Sequence, residues 1–247
     1  MNRFFKMYMI EQKLSLRGGD SLIFGIGMPV GVLILIGMIA GNKTVNVGDY
    51  TFLQSAFASL IAVGICASAF MGIPLTIADY RDKKILKHFF VTPCSPMMLL
   101  GAVILCHVVI AIVCASLVSL TAVLGFGYKM EGELLLFIVC WFLTLISMFS
   151  IGMLLASLCH TVKLANAITS IVYFPMLFLS GATIPFEIFP VGLQKVANYL
   201  PLTQGIKLMK AVSLGTNIDG VMTKIIFLIV ITMICTIISL KTFRWEA

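Results

Sequence analysis

Histidine, cysteine and acidic side chains are the groups in this chain that could catalyse a reaction or bind a metal, and their spacing favours neither. His88, His107 and His160 are far apart and share no spacing typical of a metal site. Seven cysteines without a Cys-x-x-Cys pair predict neither a zinc site nor a disulfide framework. His107 could serve as a proton relay in a membrane, although a polar contact to another helix is the commoner role there.

Sequence motifs for nucleotide or hydrolytic chemistry are missing as well. The chain contains no Gly-x-x-x-x-Gly-Lys-Ser/Thr, no His-Glu-x-x-His and no Gly-x-Ser-x-Gly. It therefore has no P-loop with which to bind ATP. All ten acidic residues lie at the ends of apolar windows or in loops, whereas a proton- or sodium-coupled transporter usually keeps such a group at membrane depth. We expect no enzymatic activity and no cofactor or metal in this chain.

The elements that carry these residues are predicted to be membrane helices. Apolar residues make up 60% of the chain and charged ones 11%, against about 25% charged in soluble domains. The apolar windows do not alternate as barrel strands do, and each is near or above the roughly 20 residues that span a bilayer. The sequence predicts an all-α integral membrane domain over residues 1–247, with spans at about 22–40, 52–78, 97–125, 134–158, 161–180 and 221–240.

The cations predict the orientation. With an inner N-terminus, eleven Lys and Arg fall on the inner side, namely Arg3, Lys6, Lys13, Arg17, Arg81, Lys83, Lys84, Lys87, Lys163, Lys241 and Arg244. The other six, Lys43, Lys129, Lys195, Lys207, Lys210 and Lys224, fall outside. The positive-inside rule then places both termini in the cytoplasm. Cations so divided form no single patch for nucleic acid.

Residues 1–20 are predicted to form an interfacial helix. Arg3, Lys6, Lys13 and Arg17 fall within about 80° of a helical wheel, and such a cationic stripe is typical of a helix that rests on an anionic leaflet.

A second amphipathic helix is predicted between the second and third spans. Residues 83–90 place cations and a histidine on one side and apolar side chains on the other, namely Lys83, Lys84, Lys87 and His88 against Ile85, Leu86, Phe89 and Phe90. Pro93 and Pro96 end it. A basic inner loop without further function remains an alternative, but loop basicity does not require a segregated aromatic face. We interpret the segment as a docking element for a cytoplasmic partner.

The outer segment 181–219 is too long for a hairpin loop and too apolar for a solvated one. Prolines divide it into two predicted short helices, 190–199 and 203–214. Thr203 is placed to cap the second and Gly215 to end it. Each is too short to span, which favours a re-entrant pair at the outer leaflet; an ordinary outer loop is the alternative.

Several residues within the spans are candidates for helix contacts or movement. Asn166 and Ser170 share one face of the fifth span and could form interhelical hydrogen bonds or face a ligand. Gly27-x-x-x-Gly31 and Gly37-x-x-x-Gly41 would allow close helix approach in the first span. Pro29, Pro74 and Pro175 should each kink a span.

Two stretches resemble the permease subunits of the ABC-2 transporter family. The first is YRDKKILKHFFVTP, from Tyr80 to Pro93. It is similar to the family pattern Glu-Arg-Glu-x-Gly-Thr-Leu followed by an apolar pair and Thr-Pro, with Lys84 and Ile85 in place of Gly-Thr. The second comprises SGATIPFEIFP, which begins at Ser180, and NYLPLT, which begins at Asn198; it resembles the family's Ser-Gly-x-x-x-Pro and Pro-Leu-Thr signature.

The resemblance implies an exporter built from two permease subunits, identical or homologous, and two ATP-binding subunits that hold ATP and Mg²⁺. It implies a coupling helix at 82–90, with Arg81, Asp82, Lys83, Lys84, Ile85, Leu86, Lys87, Phe89 and Phe90 as the ATPase-coupling residues. Asn166, Ser170, Glu187, Lys195, Lys207 and Lys210 are assigned to the translocation path. Spans without charges favour an apolar or amphipathic substrate such as a drug, an antimicrobial peptide or a lipid. An ATP-independent channel or secondary transporter, and an exporter of polysaccharide, remain alternatives.

Overall fold

A computed structural model of the chain describes residues 3–19, 22–40, 51–85, 96–181, 186, 189–216 and 220–243. We number the nine helices of these residues in chain order. They are α1 (Arg3–Gly18), α2 (Ile23–Gly27 and Met28–Ala40), α3 (Phe52–Ala67, Ser68–Gly72 and Ile73–Asp82), α4 (Pro96–Leu120 and Thr121–Gly125), α5 (Leu134–Leu158), α6 (Val162–Leu179), α7 (Val191–Ala197), α8 (Pro201–Leu214) and α9 (Val221–Thr242).

Six apolar helices coincide with the six predicted spans. Helices α3, α4, α5, α6 and α9 are each long and apolar enough to cross a membrane. The shorter α2 follows α1 after a bend of 76°, which fits an α1 that turns away from the direction of the spans. The second span was predicted to end at residue 78, but α3 continues to Asp82. The described part of the chain is therefore an all-helical, multi-pass membrane domain.

Two spans change their helical pitch just before a proline. In α2 a π-helical turn, Ile23–Gly27, precedes Pro29, and in α3 a second one, Ser68–Gly72, precedes Pro74. Proline lacks the N–H that the α-helical hydrogen bond needs, and its ring collides with the carbonyl four residues earlier. A π-turn inserts one extra residue and accommodates that mismatch. By contrast, Pro175 lies within α6, which is α-helical throughout and has no π-turn before the proline.

Helix α3 forms the centre of the bundle. Its most apolar window is 83% buried, whereas that of α9 is 6% buried. Helices α2, α4, α5 and α8 pack around α3, and its N-terminal end begins with a capping box in which Thr51 and Gln54 bond each other's backbone N–H. Any element fixed to the C-terminal end of α3 is therefore connected to most of the bundle.

Two short helices follow α6, as predicted for residues 181–219, but the second begins earlier than predicted. Helix α8 begins at Pro201, at the first helical position, where the missing N–H of proline costs nothing. Thr203 is therefore already inside the helix and buried, and its prediction as the cap was wrong. Gly215 ends α8 in the left-handed conformation, with φ of 64°, as predicted.

Several glycines allow close helix approach, but most of them lie outside the two Gly-x-x-x-Gly pairs of the first span. A Cβ at Gly31 would meet nothing, whereas one at Gly37 would meet the ring of Phe126. Gly41 lies outside the described residues. Outside the predicted pairs, a Cβ at Gly152 of α5 would overlap the backbone of Ala69, and one at Gly205 of α8 would overlap Thr144.

Candidate functional site

Arg81, in the last turn of α3, caps the end of a different helix. Its Nη1 donates hydrogen bonds to the carbonyl oxygens of Ala156 and Cys159, at 2.5 and 2.6 Å, and its guanidinium lies 4.7 Å from the ring centre of Phe243. These carbonyls belong to the C-terminal end of α5, where helical carbonyls have no partner within the helix and the helix dipole is negative. A guanidinium suits both features, and Arg81 thereby connects α3 with α5 and with the end of α9.

Asp82 makes the opposite contact one residue later. Its Oδ2 accepts a hydrogen bond of 2.9 Å from the backbone N–H of Val162, the first residue of α6. Helix N-termini carry free N–H groups and a partial positive charge, which a carboxylate neutralises. The neighbouring Thr161 accepts a further bond from Leu164. Adjacent residues of α3 thus bind the negative end of α5 and the positive end of α6, on the two sides of the short turn between them.

The predicted docking segment begins directly after this pair. Lys83 pairs with Asp79 at 2.7 Å, and Lys84 has a left-handed φ of 56°. Ile85 is half-buried and packs on the cluster of Tyr80, Leu99 and Val103. The helix of α3 therefore ends at Asp82, and Lys83 and Lys84 form a turn. Of the remaining coupling residues, Leu86, Lys87, Phe89 and Phe90 lie outside the described residues, so their helix stays a prediction.

A cavity of about 590 Å³ lies beside this turn, between α1, α3, α4 and the start of α6. At its wall the Tyr80 hydroxyl donates a 2.6 Å hydrogen bond to Glu11 Oε2, which fixes α1 to α3. Asn166, one of the predicted path residues, lines the same cavity. Burial raises the pKa of the Glu11 carboxyl, and the Tyr80 hydrogen bond partly offsets that effect.

The other predicted path residues are distributed over both ends of the bundle. Ser170 is half-buried one turn beyond Asn166 in α6, and Lys195 is exposed in the last turn of α7. Lys207 of α8 lies 3.7 Å from the ring centre of Phe186 and donates a 2.5 Å hydrogen bond to the Asn198 side chain. Lys210 is half-buried one turn later in α8. Glu187 lies outside the described residues. The structure therefore groups the lysines on α7 and α8 and leaves Asn166 near the start of α6.

Residues 28–241 match the family model described as ABC-2 family transporter protein. The chain belongs to the ABC-2 transporter family. It is 27% identical over 209 residues to Nodulation protein J of Neorhizobium galegae, covering 82% of this chain and 74% of that protein. The corresponding protein of Rhizobium meliloti is 26% identical over 200 residues, 80% of this chain and 72% of that one. The inner membrane transport permease YhhJ of Escherichia coli is 26% identical over 133 residues, 53% of this chain and 36% of its own length.

The backbone of Lys84 explains the one glycine in the ABC-2 pattern around Arg81. In Glu-Arg-Glu-x-Gly-Thr-Leu the glycine aligns with Lys84, whose φ is 56° and whose N–H bonds the Arg81 carbonyl. This is the left-handed position that follows a helix end, where glycine is preferred because other residues are strained. Lysine adopts the same conformation here at a cost in free energy.

Lys84→Gly is therefore expected to stabilise the folded chain by about 0.5–1 kcal/mol, since relief of the left-handed strain exceeds the entropy that glycine adds to the unfolded chain. The midpoint of thermal unfolding in detergent measures the change. Lys83→Gly is the matched control, because Lys83 has an ordinary φ of −80° and glycine should destabilise there. Equal shifts for both variants would contradict the explanation.

Sequence reasoning did not identify Glu11 and Tyr80 as residues of the cavity between α1, α3, α4 and α6. The interfacial helix was interpreted from its cations alone, yet its single buried residue is Glu11. One signal was available, because Glu11 is the only acid among the 16 residues of α1. A lone acid in a cationic membrane-surface helix indicates a specific partner, since exposure to an anionic leaflet would be unfavourable.

Proposed function

We propose that this chain is the membrane-spanning permease subunit of an ATP-driven exporter. A separate ATP-binding subunit holds ATP and Mg²⁺ and hydrolyses the nucleotide, and two permease copies, or this chain and a homologous permease, form the membrane part. The substrate is an apolar or amphipathic molecule, such as a drug, an antimicrobial peptide or a lipid, taken from the cytoplasm or the inner leaflet. The family membership and the missing P-loop support this division of labour.

The pair of helix caps made by Arg81 and Asp82 carries the proposal. These residues bind the facing ends of α5 and α6, and residues 83–90 begin directly after them. A partner that displaces this segment moves the end of α3, and with it the two helix ends that α3 holds. Charged hydrogen bonds of this kind are stronger than neutral ones, so the connection transmits a displacement instead of absorbing it. The segment therefore acts as the coupling helix.

The substrate would cross from the inner end of α6 to the outer helices. Asn166 and Ser170 lie on the inner half of α6, and Lys195, Lys207 and Lys210 lie on α7 and α8; with Glu187 they would line the exit. Both termini would face the cytoplasm, as the cation distribution favours.

Phe89→Asp is expected to abolish co-purification of the proposed ATP-binding subunit when the two are expressed together. A carboxylate at the apolar face of the coupling helix would have to be buried in the partner's groove without a counter-charge, which costs several kcal/mol. The measurement is the ratio of the two subunits after affinity purification from membranes. Lys129→Asp, in the exposed outer turn before α5, is the control and should leave the ratio unchanged.

An intact complex with Phe89→Asp would contradict the docking role. The ATP requirement is tested separately, with both subunits reconstituted in liposomes and the flux measured with and without ATP. Equal substrate flux through the permease alone, without ATP, would favour the channel or secondary-transporter alternative.

A further inference from the structure

The cavity beside α1 contains a buried carboxylate, Glu11, without a cationic partner among the described residues. Glu11 is 6% exposed and accepts the hydrogen bond from Tyr80. Among the described residues the ion pair at this wall joins Lys83 to Asp79 and leaves Glu11 out. A carboxylate can accept about four hydrogen bonds. Glu11 therefore retains acceptor capacity that no described residue uses.

His107 lies at the wall of the same cavity and is 2% exposed. Its Nδ1 has no hydrogen-bond partner among the described residues. The imidazole, Nδ1 included, packs on Gly72 at the end of the π-turn of α3, where a Cβ would overlap the ring. The packing of two helices thus holds the ring in place, and its buried Nδ1 is not open to the cavity.

The two described cations that line the cavity, Arg17 and Lys83, do not neutralise Glu11. Lys83 is paired with Asp79, and Arg17 is exposed at the end of α1, where water and salt screen its charge. The remaining walls are largely apolar, with Leu14, Leu75 and Val103 among them. A volume near 590 Å³ is in the usual range for a small-molecule site.

We propose that this cavity binds the primary ammonium headgroup of an amphipathic substrate, with the Glu11 carboxylate as the counter-charge. A primary ammonium brings three N–H donors and a positive charge, which match the free acceptor capacity of the buried carboxylate. The alkyl part would lie along the apolar walls. This assignment rests on the proposed export function and narrows its substrate class to amphipathic amines. The raised pKa of Glu11 agrees with it, because burial without a counter-ion favours the neutral carboxyl.

The test uses the full-length chain in phosphatidylcholine nanodiscs, without the ATP-binding subunit. The probe is N-dansyl-1,12-diaminododecane, with a terminal amine, and its matched control probe carries a hydroxyl in place of that amine. We expect saturable fluorescence enhancement with the amine, and Glu11→Gln should weaken its binding at least about tenfold, because the charge-assisted bond is lost. The glutamine can still accept the Tyr80 hydrogen bond. Binding of the hydroxyl probe should be weak and equal in both proteins.

One further variant separates binding from helix docking. Tyr80→Phe removes the contact that fixes α1 but keeps the carboxylate, and should retain amine binding. Equal affinity of wild type and Glu11→Gln for the amine, or an equal loss in Tyr80→Phe and Glu11→Gln, would overturn the proposal. Co-purification of the ATP-binding subunit with the wild-type chain is measured in parallel. A wild-type complex that stays intact but does not bind the amine would refute this site and leave the permease function standing.

Discussion

Replacing Arg81 with leucine is expected to destabilise the folded chain by about 3 kcal/mol, as two buried carbonyl groups lose a charged donor. The Ala156 and Cys159 carbonyls end α5, and the guanidinium that binds them is buried, with Arg81 only 6% exposed. The contact of the guanidinium with Phe243 is lost as well. The shift in the unfolding midpoint in detergent measures the effect.

Arg81→Lys is the matched control. An ammonium keeps the charge, but it lacks the planar fork and the stacking surface of a guanidinium, so we expect an intermediate loss of about 1–2 kcal/mol. A double variant with Phe243→Leu should be less destabilised than the sum of the two single changes, because both remove the same stacking contact. If Arg81→Leu unfolds at the wild-type midpoint, Arg81 does not hold α5, and the proposed transmission path fails with it.

The positions of the membrane helices could be predicted because hydropathy over about 20 residues reflects the solvent itself. The end of α3 was harder to predict. Residues 79–82 are polar and charged, and hydropathy alone ends the span before them, yet the helix continues since Arg81 and Asp82 find partners on α5 and α6. Those partners lie about 80 residues further along the chain, and no local pattern identifies them.

The family resemblance pointed to Arg81 and Asp82 but suggested a different role for them. A motif beside a coupling helix favours residues that face the partner, whereas Arg81 is buried within its own chain. Glu11 is the opposite case, a residue that the sequence did not mark and that the structure places in a site. Its residue type and helix were visible, but its burial depends on how α1 packs against α4 and on the hydroxyl of Tyr80. Tertiary contacts of this kind decide which charged residue is a surface charge and which is part of a site.

The spacing of glycines located the close helix contacts only in part, at Gly37 against the ring of Phe126. The Gly-x-x-x-Gly pairs lie in α2, yet the tightest approach to a neighbouring backbone in the spans is at Gly152 of α5, which has no glycine four residues away. Ala69, its neighbour, belongs to the π-turn Ser68–Gly72. That turn packs against α5, and the Ala69 carbonyl lies where a Cβ at position 152 would be.

Gly152→Ala is accordingly expected to destabilise the chain by about 3 kcal/mol, at the upper end of what an added methyl group costs in a tightly packed interior. The new Cβ would overlap the carbonyl oxygen and carbon of Ala69, and a backbone carbonyl cannot rotate away as a side chain can. Gly31→Ala is the control, because a Cβ at Gly31 meets nothing and alanine favours the helix by roughly 0.5–1 kcal/mol. The two glycine-to-alanine changes should thus shift the unfolding midpoint in opposite directions. A rise with Gly152→Ala would show that α3 and α5 are further apart than the structure places them, and that the π-turn does not set their contact.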